Sequence, residues 1–523
     1  MIECPRCDSE YCTCGYLGEL EQEQASRSAL ESEFEKASAE RGTARAPSHS
    51  VAEPIPAPTN PMAVARHLSR DLYTNNGSQR LRNHRGDFHK WNGTCWPEAE
   101  GRGIRGEMYR YLEDATYEKV TKGEIEIVPW QPTRRKVDDV LDALKAITYL
   151  DGSIEPPAWL QGSSFDQPPA TEIVSMANGL LHVPSRWLLG HTADYFCRHS
   201  LPYSYDSDAP LPERWLSFLK KLWPEDPDSI KTLQEIFGYI IGGGTEQQKL
   251  FLLVGPKRGG KGTIGRVLTG LLGKHNVAAP TLAGLATNFG IQPLVGRPLA
   301  LISDARLSSK ADAGIVVERL LSISGEDALT VDRKYQEPWT GRLPTRFLIL
   351  TNELPRLSDS SGAVSSRFVM LVLTHSWYGQ ENPKLTDELL EEAPSILNWA
   401  LEGLDRLVER GYFKLPAASA EAITQLEDLA SPMAAFLRDI CCLDAEASVE
   451  VEELWQAWKS WCEDQGRTTG TKAIFGRDLR AAAPLVSKVR PWKEQGSRPF
   501  EYAGIGLLKE SQILRGHNNG ESP

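Results

Sequence analysis

The chain has 523 residues, 41% of them hydrophobic and 24% charged, an ordinary balance for a globular protein of about two to four domains. No apolar run approaches the ~20 residues that a membrane-spanning helix needs, and the first residues, MIECPRCDSE, lack the basic and apolar segments of an export signal. We therefore expect a protein that stays in the cytoplasm. Nine cysteines in such a chain favour reduced thiols or a metal site over a disulfide framework.

Charge is spread unevenly along the chain. The formal net charge is −12, which taken alone argues against a nucleic-acid partner. Residues 1–60 contain 11 acidic and 5 basic residues, whereas residues 466–499 contain 8 basic and 2 acidic ones. The distribution of charge matters more than its sum for an electrostatic footprint, and this chain has a basic C-terminal end.

The first 60 residues begin with four closely spaced cysteines in the pattern C-x₂-C-x₄-C-x-C: Cys4, Cys7, Cys12 and Cys14. Four thiolates suit tetrahedral Zn²⁺, but these intervals are tighter than those of ordinary zinc knuckles. A zinc site and a short tail of reduced thiols both stay open. Residues 15–60 are acidic and then rich in Ala, Pro and Ser, so we predict that 1–60 is a largely disordered tail.

Ordered structure is predicted from residue 61 onward. The segment AVARHLSRDLY has helical spacing, and FHKWNGTCW is typical of a hairpin with an Asn-Gly turn. Several helical patterns lie between 104 and 240, among them VDDVLDALKAITYL, PERWLSFLKKLW and DSIKTLQEIFGYIIGG. Residues 61–240 are therefore predicted to form a mainly helical N-terminal domain.

Between 246 and 375, apolar strand patterns (KLFLLV, PLALIS, RFLILT, RFVMLVL) alternate with helical ones (GTIGRVLTGLL, AGIVVERLLSIS). This alternation predicts an α/β nucleotide-binding core over 241–428, with a parallel sheet covered by helices. After Pro432, helical patterns and a two-strand end with basic residues between them predict a winged-helix module over 429–523.

The first of these strands runs into a glycine-rich turn, GPKRGGKGT, in which Gly255, Gly260 and Lys261 fit G-x-x-x-x-G-K. Such glycines let backbone N–H groups point at phosphate oxygens, and the lysine reaches the β and γ phosphates. A purely structural glycine-rich turn is the weaker alternative. The predicted nucleotide-binding residues are Gly255, Pro256, Lys257, Arg258, Gly259, Gly260, Lys261, Gly262 and Thr263.

The loop alone does not identify the enzyme class. Gly262 stands where the usual loop has a Ser or Thr that holds Mg²⁺, and Thr263 follows one position later. The order Gly-Lys-Gly-Thr resembles adenylate kinases, so a nucleotide kinase and an ATP-driven motor both stay open. If Thr263 contacts a phosphate, Mg²⁺ depends more on water and on acids elsewhere.

Three later residues each lie next to a predicted strand. Asp304 ends PLALIS, where a carboxylate is suited to hold Mg²⁺ through water or to polarise the attacking water; a capping role is the alternative. Motor ATPases usually have two adjacent acids here, and only one is present, so the catalytic base stays open. Asn352 ends RFLILTN and is suited to orient a lytic water, and Arg367 precedes the next strand, where an arginine is able to reach a neighbouring subunit's ATP.

From about Trp91 to the C-terminus the chain resembles the superfamily 3 helicases of phages and plasmids, the helicase half of poxvirus-type primase-helicases. The densest agreement is in LQEIFGYIIGGGTEQQKLFLLVGPKRGGKGT, PTLAGLATNFGIQPLVGRPLALISDARL, LLSISGEDALTVDRKY and PTRFLILTNELPRLSDSSGAVSSRFVML. The resemblance implies an AAA+-like ATPase that uses ATP and Mg²⁺ and forms a hexameric ring around single-stranded DNA. A phage-encoded protein of this kind would act in the bacterial host's cytoplasm during DNA replication.

The same resemblance assigns roles to individual residues. Gly255, Gly260, Lys261 and Gly262 become the Walker A loop, Asp304 the Walker B acid, Asn352 sensor 1 and Arg367 a finger acting in trans. The segment LTVDRKY lies where the family inserts a hairpin into the ring channel, so Lys334 with Arg333 would grip DNA; a solvated charge pair is the alternative.

The flanking regions resemble a helical helper domain and a C-terminal winged helix. On the latter, the residues predicted to meet duplex or forked DNA, or else to form a basic solvated face, are Arg477, Arg480, Lys488, Arg490 and Lys493. Many relatives carry an N-terminal primase-polymerase domain, and the first 60 residues with the small unit that follows are too short for one. We therefore expect a separate primase or polymerase as a partner.

Two rival functions stay open on the sequence. A nucleotide kinase would need an acceptor pocket and an arginine-rich lid soon after the phosphate loop, and residues 264–300 have no such pattern. An origin-binding or loader protein would use ATP only to assemble. Strand displacement on a forked substrate separates the helicase from the loader.

Overall fold

The computed structural model of the chain describes residues 53–161, 167–305, 312–334, 337–355, 357, 363–490 and 499–508. Within these residues the chain divides into two units: 53–67 with 105–141, and 68–104 with 142–508. The four-domain division expected from the sequence stays a prediction. No helix in the described part of the chain is both long enough and apolar enough to cross a membrane.

The helices begin and end where capping chemistry favours it. In the helix Pro227–Gly242, Asp226 accepts the N–H of Ser229 at 3.0 Å, Pro227 needs no partner for its nitrogen, and Gly243 closes the helix at φ 90°. The described α-helices, in chain order, are α1 Pro61–Tyr73, α2 Gly101–Glu113, α3 Arg134–Ile147, α4 Glu213–Leu222, α5 Pro227–Gly242, α6 Lys261–Leu272, α7 Leu282–Leu285, α8 Ala313–Ser324, α9 Leu385–Leu390, α10 Ala393–Arg410, α11 Ala417–Ala430, α12 Pro432–Ile440, α13 Val451–Asp464 and α14 Lys472–Ala482.

The strands are short outside one parallel sheet. In chain order they are β1 Thr74–Asn75, β2 Ser78–Gln79, β3 Leu81–His84, β4 Asp87–Lys90, β5 Glu98–Ala99, β6 Thr116–Thr121, β7 Glu124–Pro129, β8 Tyr149–Leu150, β9 Ala158–Trp159, β10 Ile173–Met176, β11 Gly179–His182, β12 Leu188–Leu189, β13 Tyr195–Phe196, β14 Leu250–Val254, β15 Val277–Ala278, β16 Leu299–Ile302, β17 Ala328–Val331, β18 Trp339–Arg342, β19 Arg346–Thr351, β20 Phe368–Val372, β21 Cys441–Cys442, β22 Ser448–Glu450, β23 Ser487–Val489, β24 Glu501–Ala503 and β25 Gly506–Leu507.

In the first unit, hydrogen bonds tie the segment before α1 to the β6–β7 hairpin. The N–H of Ile55 donates to the carbonyl of Thr116 at 2.8 Å, and the indole N–H of Trp130 donates to the carbonyl of Pro56 at 3.2 Å. Trp130 is fully buried, whereas Val120 and Ile125 on the hairpin are exposed.

The second unit is built on a five-stranded parallel sheet with the order β15-β16-β19-β14-β20. After β19 the chain crosses β14 and adds β20 on its other side. Every residue of β14 is buried, as expected when helices cover both faces of a parallel sheet. The predicted α/β core with its parallel sheet is confirmed.

Alternate residues of β14 enter different hydrophobic cores, because successive side chains of a strand point to opposite faces. Phe251 and Leu253 pack in the core that includes α5 and α10, while Leu250 and Leu252 pack in the core that includes α8. Helices α5 and α10 approach closely: a Cβ on Gly238 would lie 2.2 Å from the carbonyl oxygen of Ala400. That contact requires glycine.

Buried residues between Met433 and Val486, together with Tyr502 and Ile505, form their own hydrophobic cluster within the second unit. Helices α12, α13 and α14 contribute Phe436, Trp458 and Phe475, and Trp458 stacks on Trp461 at a ring separation of 5.5 Å. Strand β24 pairs antiparallel with both β22 and β23. The assignment of this segment as a winged helix stays a prediction.

The prediction of a mainly helical region over 104–240 was wrong. Between helices α3 and α4 the chain forms short strands β8 to β13 and connecting loops, and the β6–β7 hairpin precedes α3. The Asn178-Gly179 dipeptide marks the β10–β11 hairpin. Apolar residues in this stretch are grouped in runs of about four, too short for a helix, and turn residues separate them.

The predicted hairpin in FHKWNGTCW is confirmed: β4 pairs antiparallel with β5, and the backbone N–H of Asn92 donates to the carbonyl of Cys95 at 3.2 Å across a turn that contains Gly93, at φ 106°. Another tight turn lies between β3 and β4, where Arg85 and Gly86 both have positive φ, 52° and 87°. The Asn92 side chain accepts the N–H groups of Thr94 and Cys95, each at 2.9 Å, within the β4–β5 turn. Asn side chains compete for local backbone groups in this way.

Candidate functional site

A wide cleft of the second unit lies at the carboxyl edge of the parallel sheet. Its volume is about 1190 Å³, and it is lined by the loop after β14, by α4 and by the segment that leads into α9. Ligands of open α/β sheets bind outside the carboxyl ends of the strands, where the direction of strand addition changes. Strand β14, flanked by β19 and β20, is at such a position.

The Gly255–Thr263 loop needs glycine at two places. A Cβ on Gly255 would lie 2.3 Å from the carbonyl oxygen of Leu373, so the loop runs directly against the chain after β20. Gly260 has φ 89° and directly precedes α6, and a Cβ there would lie 2.8 Å from Leu222 of α4. The loop therefore leads into the N-terminus of α6, whose first residues Lys261, Gly262 and Thr263 line the cleft.

Lys261, the first residue of α6, points back across this loop. Its Nζ donates to the carbonyl oxygens of Gly255 and Pro256, both at 2.8 Å, and to Oδ1 of Asn352 at 3.1 Å. The residue is only 8% exposed, and burial lowers its pKa. A buried ammonium held only by neutral oxygens, with no carboxylate among these three acceptors, favours an anionic ligand.

The other loop residues are exposed or engaged in contacts around the cleft. Arg258 adopts φ 60° and pairs with Glu381 at 3.2 Å. The hydroxyl of Thr263 accepts a hydrogen bond from Arg266 at 3.1 Å. The lining of the cleft includes the predicted residues Lys257, Arg258, Gly259, Gly260, Lys261, Gly262 and Thr263.

Sequence reasoning missed the part of the cleft wall that packs beside the Gly255–Thr263 loop. Helix α4 supplies Phe218 and Lys221, and the segment after β20 supplies Trp377. The first N–H groups of α4, those of Arg214 and Trp215, donate to the Glu392 carboxylate at 3.0 Å each. The pattern PERWLSFLKKLW predicted this helix, but no local signal indicated that one of its faces lines a cleft.

Asn352 and Asp304 both follow strands of the sheet at its carboxyl edge. Asn352 comes directly after β19, and its Oδ1 accepts a hydrogen bond from the Lys261 Nζ at 3.1 Å. Asp304 is exposed and lies two residues after the end of β16. Within the described residues, no group of three or more His, Cys, Asp or Glu side chains is arranged to hold a metal ion.

Arg367 lies at the opposite edge of the sheet. It immediately precedes β20, whose first residue pairs with Leu250 at the start of β14. Its Nη1 donates to the carbonyl of Leu321 at 2.5 Å and to the hydroxyl of Ser324 at 2.8 Å, near the C-terminus of α8. A strand of five residues spans ~16 Å, so Arg367 does not belong to the cleft that contains Lys261 of the same chain.

Arg333 and Lys334 follow β17 of the β17–β18 hairpin. The Arg333 guanidinium forms a largely buried ion pair with Asp87 of β4, and its Nε donates to the carbonyl of Glu337 at 3.0 Å. Lys334 is exposed, and its backbone N–H donates to Gln292 at 3.3 Å. The two neighbouring cations are therefore in different environments.

The basic residues near the C-terminus are exposed. Arg477, which pairs with the adjacent Asp478, and Arg480 are on α14. Lys488 of β23 and Arg490 lie over the ring of Phe500, at 4.6 and 5.2 Å from its centre. Five other predicted site residues, Cys4, Cys7, Cys12, Cys14 and Lys493, are outside the described residues, and the proposed zinc site stays a prediction.

Comparisons with known proteins match two segments. Residues 67–224 match the family described as "D5 N terminal like", and residues 253–367 match DUF5906, a family of unknown function. The apo structure of the NrS-1 C-terminal region is 13% identical, with a TM-score of 0.48, over 82% of this chain and 96% of that one. Two A-form apo structures of the same region, 13% and 11% identical, give TM-scores of 0.46 and 0.42 with the same coverage.

Proposed function

We propose that the protein is an ATP-dependent DNA helicase of the superfamily 3 type, which moves along single-stranded DNA as a ring during phage or plasmid replication. The observation that carries the proposal is the position of Lys261: a nearly buried amine at the start of α6, held by two loop carbonyls and Asn352 at the carboxyl edge of a parallel sheet. The "D5 N terminal like" match supports a role in phage DNA replication.

In this proposal the nucleotide phosphates bind in the Gly255–Thr263 loop. Their oxygens accept the Lys261 Nζ hydrogen bonds that loop carbonyls accept now, and they accept the N–H groups at the start of α6. Mg²⁺, when bound, neutralises phosphate charge, and Asp304 is the acid at this edge that is suited to hold it through water. Phe218 and Trp377 offer apolar rings for the nucleotide base.

Asn352 is suited to hold the attacking water. Its amide contacts Lys261 through Oδ1 at 3.1 Å, which leaves its NH₂ group to interact with water or a γ-phosphate oxygen. Hydrolysis then depends on a water aligned with the bond to be broken and on cations that stabilise the charge of the transition state. Lys261 supplies one such cation within the chain.

A second cation would come from a neighbouring subunit. Arg367 is about the length of a strand away from the cleft of its own chain, and it is held near the C-terminus of α8. A finger at that edge is suited to act on the ATP of the adjacent subunit, which a closed ring provides. This arrangement favours a ring ATPase over a kinase whose site is contained in one chain.

DNA contacts would come from the β17–β18 hairpin and the C-terminal basic residues. Because Arg333 is paired with Asp87, we assign it the role of fixing the hairpin, and we assign the phosphate contact to the exposed Lys334. Arg477, Arg480, Lys488 and Arg490 form an exposed basic set for duplex or forked DNA.

One set of assays tests the proposal. ATP hydrolysis is measured with and without single-stranded DNA, displacement is measured on a forked duplex, and the assembly state is measured by native mass spectrometry. A helicase hydrolyses ATP faster with DNA and displaces the strand as a ring. Hydrolysis without displacement would indicate a loader, and phosphoryl transfer to a nucleotide acceptor by a monomer would indicate a kinase.

A further inference from the structure

A second pocket lies at the amino edge of the parallel sheet, on the side away from Lys261. It occupies about 120 Å³ between the segments that precede β16 and β19, the β18 strand of the hairpin and the segment after β13. This volume is well below the ~300–1,000 Å³ of an ordinary small-molecule pocket, but it exceeds the ~30 Å³ share of one water. The space suits a small polyatomic ion.

The described lining is strongly cationic. Three of its residues are arginines, Arg198, Arg342 and Arg346. Glu155 is the one acidic residue among the described lining residues, and its carboxylate pairs with Arg85. The three arginines therefore outnumber the acid of the lining, although Glu155, and Glu98 and Asp87 outside the lining, lie near enough to Arg198 to interact with its charge.

Arg346 is the most deeply placed of these cations. It is 4% exposed, and its two terminal nitrogens donate to the carbonyls of Pro344 and Ile240, both at 2.7 Å. Burial lowers its pKa to about 10, which still leaves the group charged at neutral pH. Neutral carbonyls satisfy some of its N–H groups but do not balance its charge.

Four buried nitrogens of the lining have no hydrogen-bond partner among the described protein atoms. They are Nε of Arg198, Nδ1 of His199, Nε1 of Trp339 and Nε of Arg346. Buried donors without partners are rare, because each gives up its bonds to water without replacement. The nitrogens of Arg198, Trp339 and Arg346 are donors, whereas Nδ1 of His199 donates or accepts according to its tautomer. Three unpartnered donors in one small cationic pocket indicate a ligand rich in acceptors.

His199 is kept neutral in this setting. Burial, and then the positive charges of Arg346, Arg198 and Arg297, lower its pKa to about 4. A neutral imidazole adds a hydrogen-bonding group without increasing the positive charge of the pocket.

We propose that this pocket is a binding site for a tetrahedral oxyanion, either free inorganic phosphate or the terminal phosphate of a nucleotide. Arg198 and Arg346 supply the charge and unpartnered N–H groups, and Trp339 supplies a neutral donor. Because Trp339 and Arg342 belong to β18, a bound phosphate joins the β17–β18 hairpin to the amino edge of the sheet.

The test uses the full-length chain carrying Lys261→Ala, so that the Gly255–Thr263 loop does not contribute strong phosphate binding. Inorganic phosphate and, separately, ADP are titrated by calorimetry in buffer free of phosphate and sulfate. We expect one site per chain, weakened about tenfold by Arg198→Gln and about fivefold by Trp339→Phe. The matched control Arg135→Gln removes an exposed arginine of α3 and should leave the affinity unchanged.

Each outcome decides the proposal. Phosphate binding that Arg198→Gln weakens supports free phosphate as the ligand, and ADP binding that it weakens supports the nucleotide. If neither ligand binds, or if binding is the same in the folded Arg198→Gln and Trp339→Phe variants, the proposal is wrong. If Arg198→Gln fails to fold by circular dichroism, Trp339→Phe alone decides, because it keeps an aromatic ring and removes only the N–H donor.

Discussion

The two edges of the parallel sheet differ in which ends of the helices lie beside their charged side chains. At the carboxyl edge, α6 begins with Lys261, and its N-terminus lines a wide cleft. At the amino edge, α5 and α8 end, and their last carbonyls hold arginines: Ile240 binds Arg346, and Leu321 binds Arg367. Helix N-termini attract anions and helix C-termini attract cations, so the direction of the helices sorts the two kinds of site.

The hydrogen bonds of the cations at the two edges also differ in whether a ligand is able to replace them. Lys261 donates to loop carbonyls that a phosphate is able to replace, whereas Arg346 and Arg367 at the amino edge are bound to backbone carbonyls of packed helices. We therefore expect substitutions at the carboxyl edge to change nucleotide binding and hydrolysis. Substitutions at the amino edge should instead change the action of one subunit on its neighbour or the binding of DNA.

The largest expected effect is that of Lys261→Ala. Removing the ammonium that meets the phosphates should abolish measurable ATP turnover and weaken ATP binding, while the circular dichroism spectrum and melting temperature stay close to those of the parent. The matched control is Lys274→Ala, which removes an exposed lysine just beyond α6. Full turnover in Lys261→Ala would remove the basis for a nucleotide site at this edge.

Arg367→Ala should give the next largest effect, and it should separate binding from chemistry. ATP affinity should stay near that of the parent, while turnover falls on the order of a thousandfold, because a finger stabilises transition-state charge. Lys249→Ala is the control for local disturbance, since its Nζ donates to the carbonyl of Ser366 at 3.0 Å in the same turn.

Mixed assemblies test whether Arg367 acts across a subunit boundary. A boundary that takes its loop from an Arg367→Ala subunit and its finger from a Lys261→Ala subunit is complete, so mixing the two inactive variants should restore some turnover. If mass measurement shows that they co-assemble and no turnover returns, Arg367 acts within its own chain or only on the fold.

Asn352→Ala should reduce turnover by on the order of a hundredfold, because one polar group that orients the reaction is lost while the phosphate loop remains. The ATP dissociation constant, measured with a fluorescent analogue, should change much less than turnover. A loss of affinity as large as the loss of turnover would assign Asn352 to the support of Lys261 and not to the attacking water.

The sequence predicted the carboxyl edge better than the amino edge, for a physical reason. Strand patterns such as KLFLLV and RFLILT are local, and the polar residue that follows each parallel strand has a fixed position at one edge. That rule puts Asn352 at the same edge of the sheet as the Gly255–Thr263 loop, and the structure adds that the Lys261 Nζ lies 3.1 Å from the Asn352 Oδ1.

The structure at the amino edge depends on contacts between residues that are far apart in the sequence. No local sequence pattern indicates such contacts. Arg333 and Asp87 are 246 residues apart in the chain, and neither neighbourhood indicates an ion pair. The contacts of Arg346 with Ile240 likewise depend on where α5 ends relative to β19. The short strands over 149–196 were missed because their apolar runs are brief and lack a sustained period.

The smallest expected effect comes from the hairpin, where two adjacent cations should behave differently. Lys334→Ala should weaken single-stranded DNA binding about fivefold at low salt and leave basal ATP turnover unchanged, because it removes one exposed phosphate contact. The loss should shrink as salt rises. The matched control is Lys119→Ala, which removes an exposed lysine of the β6–β7 hairpin.

Arg333→Ala should weaken DNA binding with little dependence on salt and should also lower the melting temperature, because it leaves the largely buried Asp87 carboxylate without its partner. Asp87→Asn should lower the melting temperature in the same way, although it removes no cation. If Arg333→Ala showed the salt dependence of Lys334→Ala and kept the parent's melting temperature, the ion pair with Asp87 would not fix the hairpin, and both cations would be direct DNA contacts.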